Sequence, residues 1–473
     1  MPRPVRHATG GSSQRGIFKP EHQSRCAPTD DKPRIWYLNP LQAPSGLWSG
    51  NLTYTDFELD QNIGVAKSFN LRMSVNFSDP AHLPSCPNTF YALNRAEIYF
   101  GSDLVETVYA DSLYHESLAF LSEQKAHNVA DTFNVNESDL SARNMYYPTV
   151  QSLPAGTTAG TIGYEDAVAG TMGPVLPKVA TLSDGEITQT ASGYYYINLD
   201  NTCLKAMRPY VRGFSSKIKI RVYWATSWVS QYQVQSNGTA PVGGSGGSVA
   251  TFWKSDPSIS QLQLLVEEQT TDSASLMALE QAHRAGIVDY TVAIRERLQD
   301  NPPSLVGGQQ NTTFLRAFRN KSAAIMAYIT QPNPPADRLQ QRLAFASIQL
   351  LDARGNKLTE ILDNDILTSK VFPDQIDSSF PNSANPDIRT LALLPFANHV
   401  QPVLDQGCSN GNYQLTTLEQ FVLTPDGTTA TRAGTVNPNG ETTSVGTNMI
   451  TIISYSYAHI TCMSGNHSVR FET

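Results

Sequence analysis

Charged residues are scarce in this sequence. They make up 16% of its 473 residues, against about 25% in an average globular protein. This disfavours a coiled coil, whose outer faces need abundant Glu, Lys and Arg. The 20 Tyr, 18 Phe and 5 Trp disfavour a disordered chain, which would have few aromatic residues. Uncharged polar residues take the place of the charged ones, which is typical of β-rich proteins with many loops.

Cysteines and long apolar runs are also few. The five cysteines lie far apart and form no C-x-x-C pair, so neither a disulfide framework nor a zinc site is indicated, and we expect reduced thiols. They are Cys26, Cys86, Cys203, Cys408 and Cys462. Residues 442–469 form a long uncharged stretch, but Ser, Thr, Asn and Gly interrupt it throughout. Such a stretch does not fit a membrane span, which needs about 20 predominantly apolar residues.

Motifs for catalysis are missing as well. The nine histidines never take H-E-x-x-H or H-x-H spacing, and no phosphate-binding G-x-x-x-x-G-K-[ST] occurs. Residues 243–247 read G-x-S-x-G, but they lack the preceding strand and following helix that a nucleophile elbow requires. His459 and His467 flank a predicted turn. A pair of histidines that are hydrogen-bonded within the protein or exposed to solvent is favoured there over a metal site. We therefore expect no catalytic residues, no metal and no cofactor.

The charges that are present are unevenly distributed. Residues 1–34 carry seven basic and three acidic side chains, a net charge of +4, whereas the whole chain carries −8 and the remainder therefore −12. This pattern predicts a flexible basic arm that docks on another surface, although a leader without a role remains an alternative. The candidate docking residues are Arg3, Arg6, Arg15, Lys19 and Arg25.

The length exceeds the roughly 250–300 residues at which a single hydrophobic core stops growing, so two domains are expected. Short runs rich in β-branched and aromatic residues predict strands along most of the chain. Residues 217–224 alternate strictly, which places Ile218, Ile220, Val222 and Trp224 on one buried face. Helices are few; the clearest covers Ser273–Ala285.

A Gly/Ser-rich segment at residues 236–248 is the sharpest break in composition and predicts a linker. The expected division is an arm at 1–34, a first β domain at 35–235, a linker at 236–257 and a second β domain at 258–473. Long loops are expected at about 144–193 in the first domain and at 372–387 and 425–447 in the second.

A weak internal repeat supports two similar domains. Residues 96–100 and 104–113 match residues 346–350 and 358–367, with offsets of 250 and 254 residues. In both copies the pattern predicts a strand, a turn, a second strand and a polar exit.

The second half resembles the major capsid proteins of large and giant eukaryotic DNA viruses. The segments that carry the resemblance keep the order found in that family and extend from about residue 314 to residue 471. They are residues 314–329, 346–360, 388–395, 399–410 and 455–471. The resemblance implies an all-β fold of two tandem eight-stranded antiparallel jelly-roll barrels, with long inserted loops and a few short helices.

The resemblance also implies a function. Three copies would form a homotrimer whose six barrels tile an icosahedral shell. The basic arm would then bind neighbouring capsomers, minor capsid proteins or the anionic surface of an internal membrane, without sequence-specific contact to nucleic acid. The implied location is the virion, with assembly in the host cell cytoplasm.

Two other functions fit a pair of β domains. One is a tandem jelly-roll hydrolase of glycans or glycoproteins, which would need carboxylates converging in a cleft between the barrels. The other is a jelly-roll lectin or receptor-binding viral spike, in which the loop at about 144–193 would recognise the ligand.

Overall fold

Most of the chain folds into antiparallel β-sheets in the computed structural model. The linker at 236–257 lies outside the described residues, as do all of the arm except Arg34 and all of the loop at 144–193 except Gly193. The described residues are 34–76, 89–120, 193–226, 258–269, 273–285, 288–300, 308–330, 345–375, 391–407, 410–425, 449–463 and 466–472.

Eight strands build a first barrel from two four-stranded sheets. One sheet has the strand order β1-β8-β3-β6 and the other has β2-β7-β4-β5. The strands are β1 Arg34–Leu38, β2 Tyr54–Glu58, β3 Val65–Asn76, β4 Leu93–Phe100, β5 Asp103–Tyr109, β6 Gly193–Asn198, β7 Ile218–Trp224 and β8 Ser258–Gln269.

The remaining strands build a second barrel with the same strand order. Its sheets run β10-β16-β12-β13 and β14-β11-β17, with β9 paired along β17. The short strand β15 pairs with β11, and β18 forms a hairpin with β17. The strands are β9 Val288–Asp300, β10 Asn311–Phe314, β11 Lys321–Thr330, β12 Phe345–Leu351, β13 Leu362–Asp363, β14 Leu391–Pro395, β15 Tyr413–Gln414, β16 Gln420–Pro425, β17 Met449–Met463 and β18 Asn466–Phe471. Two sheets of four with this order in each barrel are the jelly roll.

Short helices occupy equivalent places in the two barrels. One follows each pair β4-β5 and β12-β13, and another lies between β6 and β7 and between β14 and β16. They are α1 Ala110–Phe120, α2 Cys203–Met207, α3 Ser273–Ala285, α4 Asn364–Ile366, a π-helical turn Leu367–Val371, α5 Phe372–Gln375 and α6 Val400–Gln406, with 3-10 turns at Thr89–Ala92 and Val211–Gly213. In this described part of the chain, no helix is long and apolar enough to cross a membrane.

Strand β7 shows how the sequence pattern builds the core. Ile218, Ile220, Val222 and Trp224 are at most 1% exposed, as the alternation predicts. Each such side chain contributes about 1.5–3 kcal/mol when it is fully buried. The indole Nε1–H of Trp224 donates to Thr55 Oγ1 at 2.8 Å, so its polar end is satisfied inside the core.

One predicted domain boundary is wrong. Strand β8 pairs with β1 and β3 and buries Leu262, Leu264 and Val266 in the first barrel, so the second barrel does not begin at residue 258. The last strand of a jelly roll lies between its first and third strands, and the Gly/Ser-rich segment therefore connects β7 to β8 within one barrel. The predicted helix α3 follows β8 and leads to the second barrel, with Leu279 buried against Val65 and Tyr210.

The internal repeat marks equivalent strand pairs. Residues 96–100 lie in β4, residues 104–109 lie in β5, and residues 346–350 lie in β12. The segments that leave the two strand pairs are helical: α1 follows β5, and residues 364–375 follow β13.

Candidate functional site: the junction between the barrels

The two barrels meet where one face of the second barrel packs on a corner of the first. We call the corner of the first barrel, formed by β5 and α1, corner 1. The register of β9, β17 and β11 places Arg295, Arg297 and Tyr328 on one side of their sheet. We call this side face 2, and its three residues contact corner 1.

A guanidinium group lies between two carboxylates at the centre of the junction. Arg295 Nε donates to both oxygens of Glu116 in α1, at 2.7 and 2.8 Å. Its Nη1 donates to Glu106 Oε1 in β5 at 3.2 Å, and its backbone N–H donates to the same oxygen at 3.1 Å. The other oxygen of Glu106 accepts the backbone N–H of Cys203 at 2.6 Å, which ties α2 to the cluster. Both carboxylate side chains are 0% exposed and Arg295 is 6% exposed.

Burial makes each charge in this cluster depend on the others. It raises the pKa of Glu116, and the guanidinium of Arg295 opposes that shift. Burial alone would lower the pKa of Arg295, but Glu116 and Glu106 raise it above its ordinary value. Burial together with Glu106 also raises the pKa of the Cys203 thiol, which keeps the thiol protonated. The cluster is therefore stable only while all three charged partners are present.

Polar and aromatic contacts extend the junction along α1. Arg297 pairs with Asp111 at 2.5 Å and lies over the ring of Tyr109, 4.0 Å from its centroid. Tyr328 shares a hydrogen bond of 3.0 Å with Ser112, and its ring stacks on His115 with centroids 3.9 Å apart. His115 Nδ1 lies 2.6 Å from the carbonyl oxygen of Asp111.

Further contacts fix the ends of the junction. Lys205 in α2 pairs with Asp405 in α6 at 2.6 Å, so the two equivalent helices touch each other. At the other end, His467 Nε2 lies 3.2 Å from Asp103, and Ser215 donates to Asn466 at 3.0 Å. The barrels are thus tied at several points along their length.

His459 and His467 lie on the two strands of the hairpin β17-β18, but they are not opposite each other. His459 pairs across the hairpin with Arg470, and His467 pairs with Cys462. His459 lies between Asp289 and Glu472, at 3.3 and 2.7 Å. Among the described residues, no group of three or more His, Cys, Asp or Glu is placed to hold a metal ion. Of the described cysteines, Cys203 and Cys462 are buried and take part in no disulfide, and the thiol of Cys462 lies 3.7 Å from the carbonyl oxygen of Gly213.

The residues of the junction are not those that the sequence singled out. Arg3, Arg6, Arg15, Lys19 and Arg25 lie outside the described residues, so their docking role stays a prediction. Glu106 stands within the internal repeat, which was the one signal for it. Arg295 gave no signal, because its partners lie 189 and 179 residues away in sequence.

The chain matches no model of a protein family and no curated protein. Solved structures do match. PBCV-1 VP54, fitted into a reconstruction of the virophage Sputnik, has a TM-score of 0.56 at 9% identity and covers 94% of this chain and 98% of its own. A structure of the Sputnik virophage has a TM-score of 0.52 at 11% identity, covering 94% and 89%. The Faustovirus major capsid protein has 0.51 at 8% identity, covering 92% and 91%.

Identities this low establish the fold alone. The likeness extends over both barrels of this chain and over nearly the whole of the matched chains. The predicted fold, two antiparallel jelly rolls in tandem with a few short helices, is confirmed.

Loss of Arg295 should destabilise the protein strongly. The substitution Arg295→Met leaves two buried carboxylates unpaired, and we expect the free energy of unfolding to fall by about 3–5 kcal/mol. A triple variant that also carries Glu106→Gln and Glu116→Gln removes the charges together and should recover most of that loss. Urea denaturation measures both. The matched control is Arg284→Met, which breaks an exposed pair with Glu280 and should cost less than about 1 kcal/mol. Equal losses in the two single variants would contradict the account.

His115 should make the protein less stable in acid. Burial lowers the pKa of His115 to about 4, against about 6.5 for an exposed histidine. An unfolded chain therefore takes up this proton below about pH 6.5 while the folded chain does not, so stability present above that pH is lost as the pH falls towards 4. The substitution His115→Phe keeps the ring stack and should flatten the fall in unfolding free energy by up to about 3 kcal/mol over that range. Ser112→Ala is the control, because it should lower stability equally at every pH. An unchanged pH dependence in His115→Phe would contradict the prediction.

Proposed function

We propose that this protein is the major capsid protein of a double-stranded DNA virus and that it assembles as a homotrimer. The observation that carries the proposal is the fold itself: two jelly rolls of identical strand order, locked side by side by a buried junction. The fold is that of a capsid protein such as the one from Faustovirus, over more than nine-tenths of this chain. A subunit of this form is a rigid block with two equivalent halves.

Such a block can tile a surface. Three copies of a double barrel place six similar barrels around one axis, and this gives a near-hexagonal footprint from one polypeptide. Hexagonal units pack edge to edge in an icosahedral shell. The low charge fits this role, because subunits that bury their sides against identical neighbours avoid repulsion between like charges.

The role we propose is structural rather than catalytic. A hydrolase needs carboxylates that converge in an open cleft between the barrels. Glu106 and Glu116 do converge there, but both are fully buried and both bind Arg295. These two carboxylates have no contact with solvent and no room for a substrate, so they are arranged for holding the barrels together.

We further propose that the arm at residues 1–34 acts outside the trimer. Its partners would be neighbouring capsomers, minor capsid proteins or an internal membrane, and its net charge of +4 suits the anionic surface of such a membrane. The protein would then be found in the virion after assembly in the host cell cytoplasm.

The native size tests the trimer directly. We expect a stable species of three subunits, each 51.8 kDa, that survives reducing agents. Electron microscopy of that species viewed face-on should show a pseudo-hexagonal outline, because six barrels surround the axis. A monomer at all concentrations, in light scattering and in images, would contradict the proposal.

Removal of the arm tests shell assembly independently of trimer formation. A variant lacking residues 1–34 should form the same trimer but assemble shells poorly in infected cells, because the docking charge is gone. A full-length variant with Arg3, Arg6, Arg15, Lys19 and Arg25 changed to Gln tests charge apart from length, and it should show the same defect. Normal shells from both variants would show that the arm has no docking role.

A further inference from the structure

An open groove of about 460 Å³ lies between helix α3 and the 3-10 turn Val211–Gly213 of the first barrel. Its floor is His283, which is 2% exposed. The ring of His283 lies 5.3 Å from that of Tyr210 and 5.7 Å from that of Phe214, measured between centroids. A Cβ atom on Gly213 would lie 2.3 Å from Nδ1 of His283, so the ring can lie here only because residue 213 is glycine. We call this the α3 groove, and the side chains that line it include Tyr210, Arg212, Phe214, Glu280, His283 and Arg284.

The side chains of the α3 groove favour an anion. Two arginines, Arg212 and Arg284, line it against one glutamate, Glu280. Burial lowers the pKa of His283 to about 4, so this histidine is neutral at pH 7. Burial and then Glu280 raise the pKa of Tyr210, and the two arginines oppose that shift, so all three charges act on one hydroxyl group. The groove therefore carries a net positive charge around a polar centre.

Both arginines are available to a further carboxylate. Arg212 is exposed, and it donates from Nε and Nη2 to the carbonyl oxygen of Asn62, at 2.9 and 2.6 Å. This contact fixes the guanidinium but does not use Nη1. Arg284 pairs with Glu280 one helical turn away, but its side chain is 78% exposed. Exposed pairs contribute little to stability, so another carboxylate can compete for Arg284.

The N-terminal arm joins the first barrel close to this groove. Arg34 pairs with Glu268 in β8, and Glu268 pairs with Ala66 in β3. The residue before Ala66, Val65, forms a β-bridge with Tyr210 of the groove. Neighbouring strands are about 4.8 Å apart, so these three spacings place Arg34 about 15 Å from Tyr210.

The arm carries an acidic pair at the point where it joins the barrel. Of its three acidic residues, Asp30 and Asp31 come four and three residues before Arg34, whereas Glu21 lies much earlier. Four residues of extended chain span about 13 Å. The long arginine side chains cover the remaining distance, so the acidic pair can reach the α3 groove of its own chain.

We propose that the α3 groove holds this part of the arm of the same chain, with the carboxylates of Asp30 and Asp31 bound by Arg212 and Arg284. The occupant is this segment because it has the complementary charge and the required length. Its attachment at Arg34 also gives it an effective concentration in the millimolar range. The basic residues of the arm up to Arg25 precede the acidic pair, so they stay free for another surface. The inference goes beyond the proposed capsid function and applies to a single chain as well as to a trimer.

Disulfide trapping tests which segment occupies the groove. Thr29→Cys places a thiol beside the acidic pair, and Glu280→Cys places a second thiol in the groove while both arginines remain. With oxidised glutathione, we expect a disulfide within one chain, which changes the mobility of the 51.8 kDa chain in a non-reducing gel. If Glu280→Cys does not fold, Met277→Cys replaces it, because Met277 is 64% exposed and lies one turn earlier on α3. The native cysteines that are changed to Ser in the test chain are Cys26, Cys86 and Cys408.

Charge substitutions in the test chain show whether the carboxylates guide the arm. Asp30→Asn with Asp31→Asn should slow disulfide formation about fivefold, which is the loss expected for two exposed ion pairs. Arg212→Gln with Arg284→Gln should slow it equally, and all four substitutions together should slow it no further, because they remove the same contact. About 1 M salt should also remove the difference, because it screens the pairs.

Two controls isolate the acidic pair and the groove. Glu21→Gln removes the other acid of the arm and should leave the rate unchanged. A chain with Thr29→Cys and Leu52→Cys should form a disulfide more slowly than any variant above, because Leu52 is 48% exposed and lies before β2, at the end of that strand away from the groove.

Three outcomes would overturn the inference. They are a rate that does not depend on the acidic pair, an equally fast disulfide to Leu52→Cys, and a disulfide-linked dimer of two 51.8 kDa chains as the main product. The dimer would place the arm of a second copy in the groove. None of these outcomes changes the size or the outline of the wild-type oligomer, so the capsid proposal stands or falls separately.

Discussion

One buried guanidinium sets the arrangement of the whole molecule. Arg295 stands on a strand of the second barrel, and its two carboxylate partners stand on a strand and a helix of the first. A charge can be buried only where its partners are placed correctly, since an unpaired buried ion costs several kcal/mol. The cluster therefore admits one relative position of the barrels. The neighbouring contacts of Arg297 with Asp111 and of Tyr328 with His115 extend the same arrangement along α1.

This constraint turns a repeated fold into one rigid block. Each barrel has the same strand order and a helical segment after its fifth strand. The helical segment of the first barrel is held against the sheet of the second by Arg295, Arg297 and Tyr328. A rigid junction fixes the angle at which the two barrels are presented to any neighbouring copy, and the assembly that we propose depends on that fixed angle.

The sequence predicted the parts of the fold that depend on local pattern. Alternation in residues 217–224 located β7, and helical periodicity located α3 with the bounds that the structure has. Four strands were missed: β1, β10, β15 and β18, of which β1 and β18 are half exposed and lack an apolar run. The predicted strand at 358–362 is a strand only at Leu362, because the backbone N–H groups of Leu358 and Thr359 both donate to the carbonyl oxygen of Leu350 and the chain bends there.

The features that the sequence did not predict depend on contacts between distant residues. The predicted domain boundary before β8 was wrong because a break in composition marks only a long loop. Strand pairing is what shows to which barrel the next strand belongs. The sequence did not single out Arg295 for the same reason, since its two carboxylate partners belong to the other barrel. The likeness of the second half to capsid proteins predicted the fold of both halves, although the segments that carry it all lie after residue 313.

The central claim is that the buried junction fixes the two barrels in one relative position, so that the chain acts as one rigid block. A reconstruction of the native protein at a resolution that shows side chains tests it most directly. The account predicts the same relative position of the two barrels in every copy, with Arg295 enclosed by Glu106 and Glu116. Copies whose barrels take different relative positions, or in which Arg295 lies apart from both carboxylates, would contradict it.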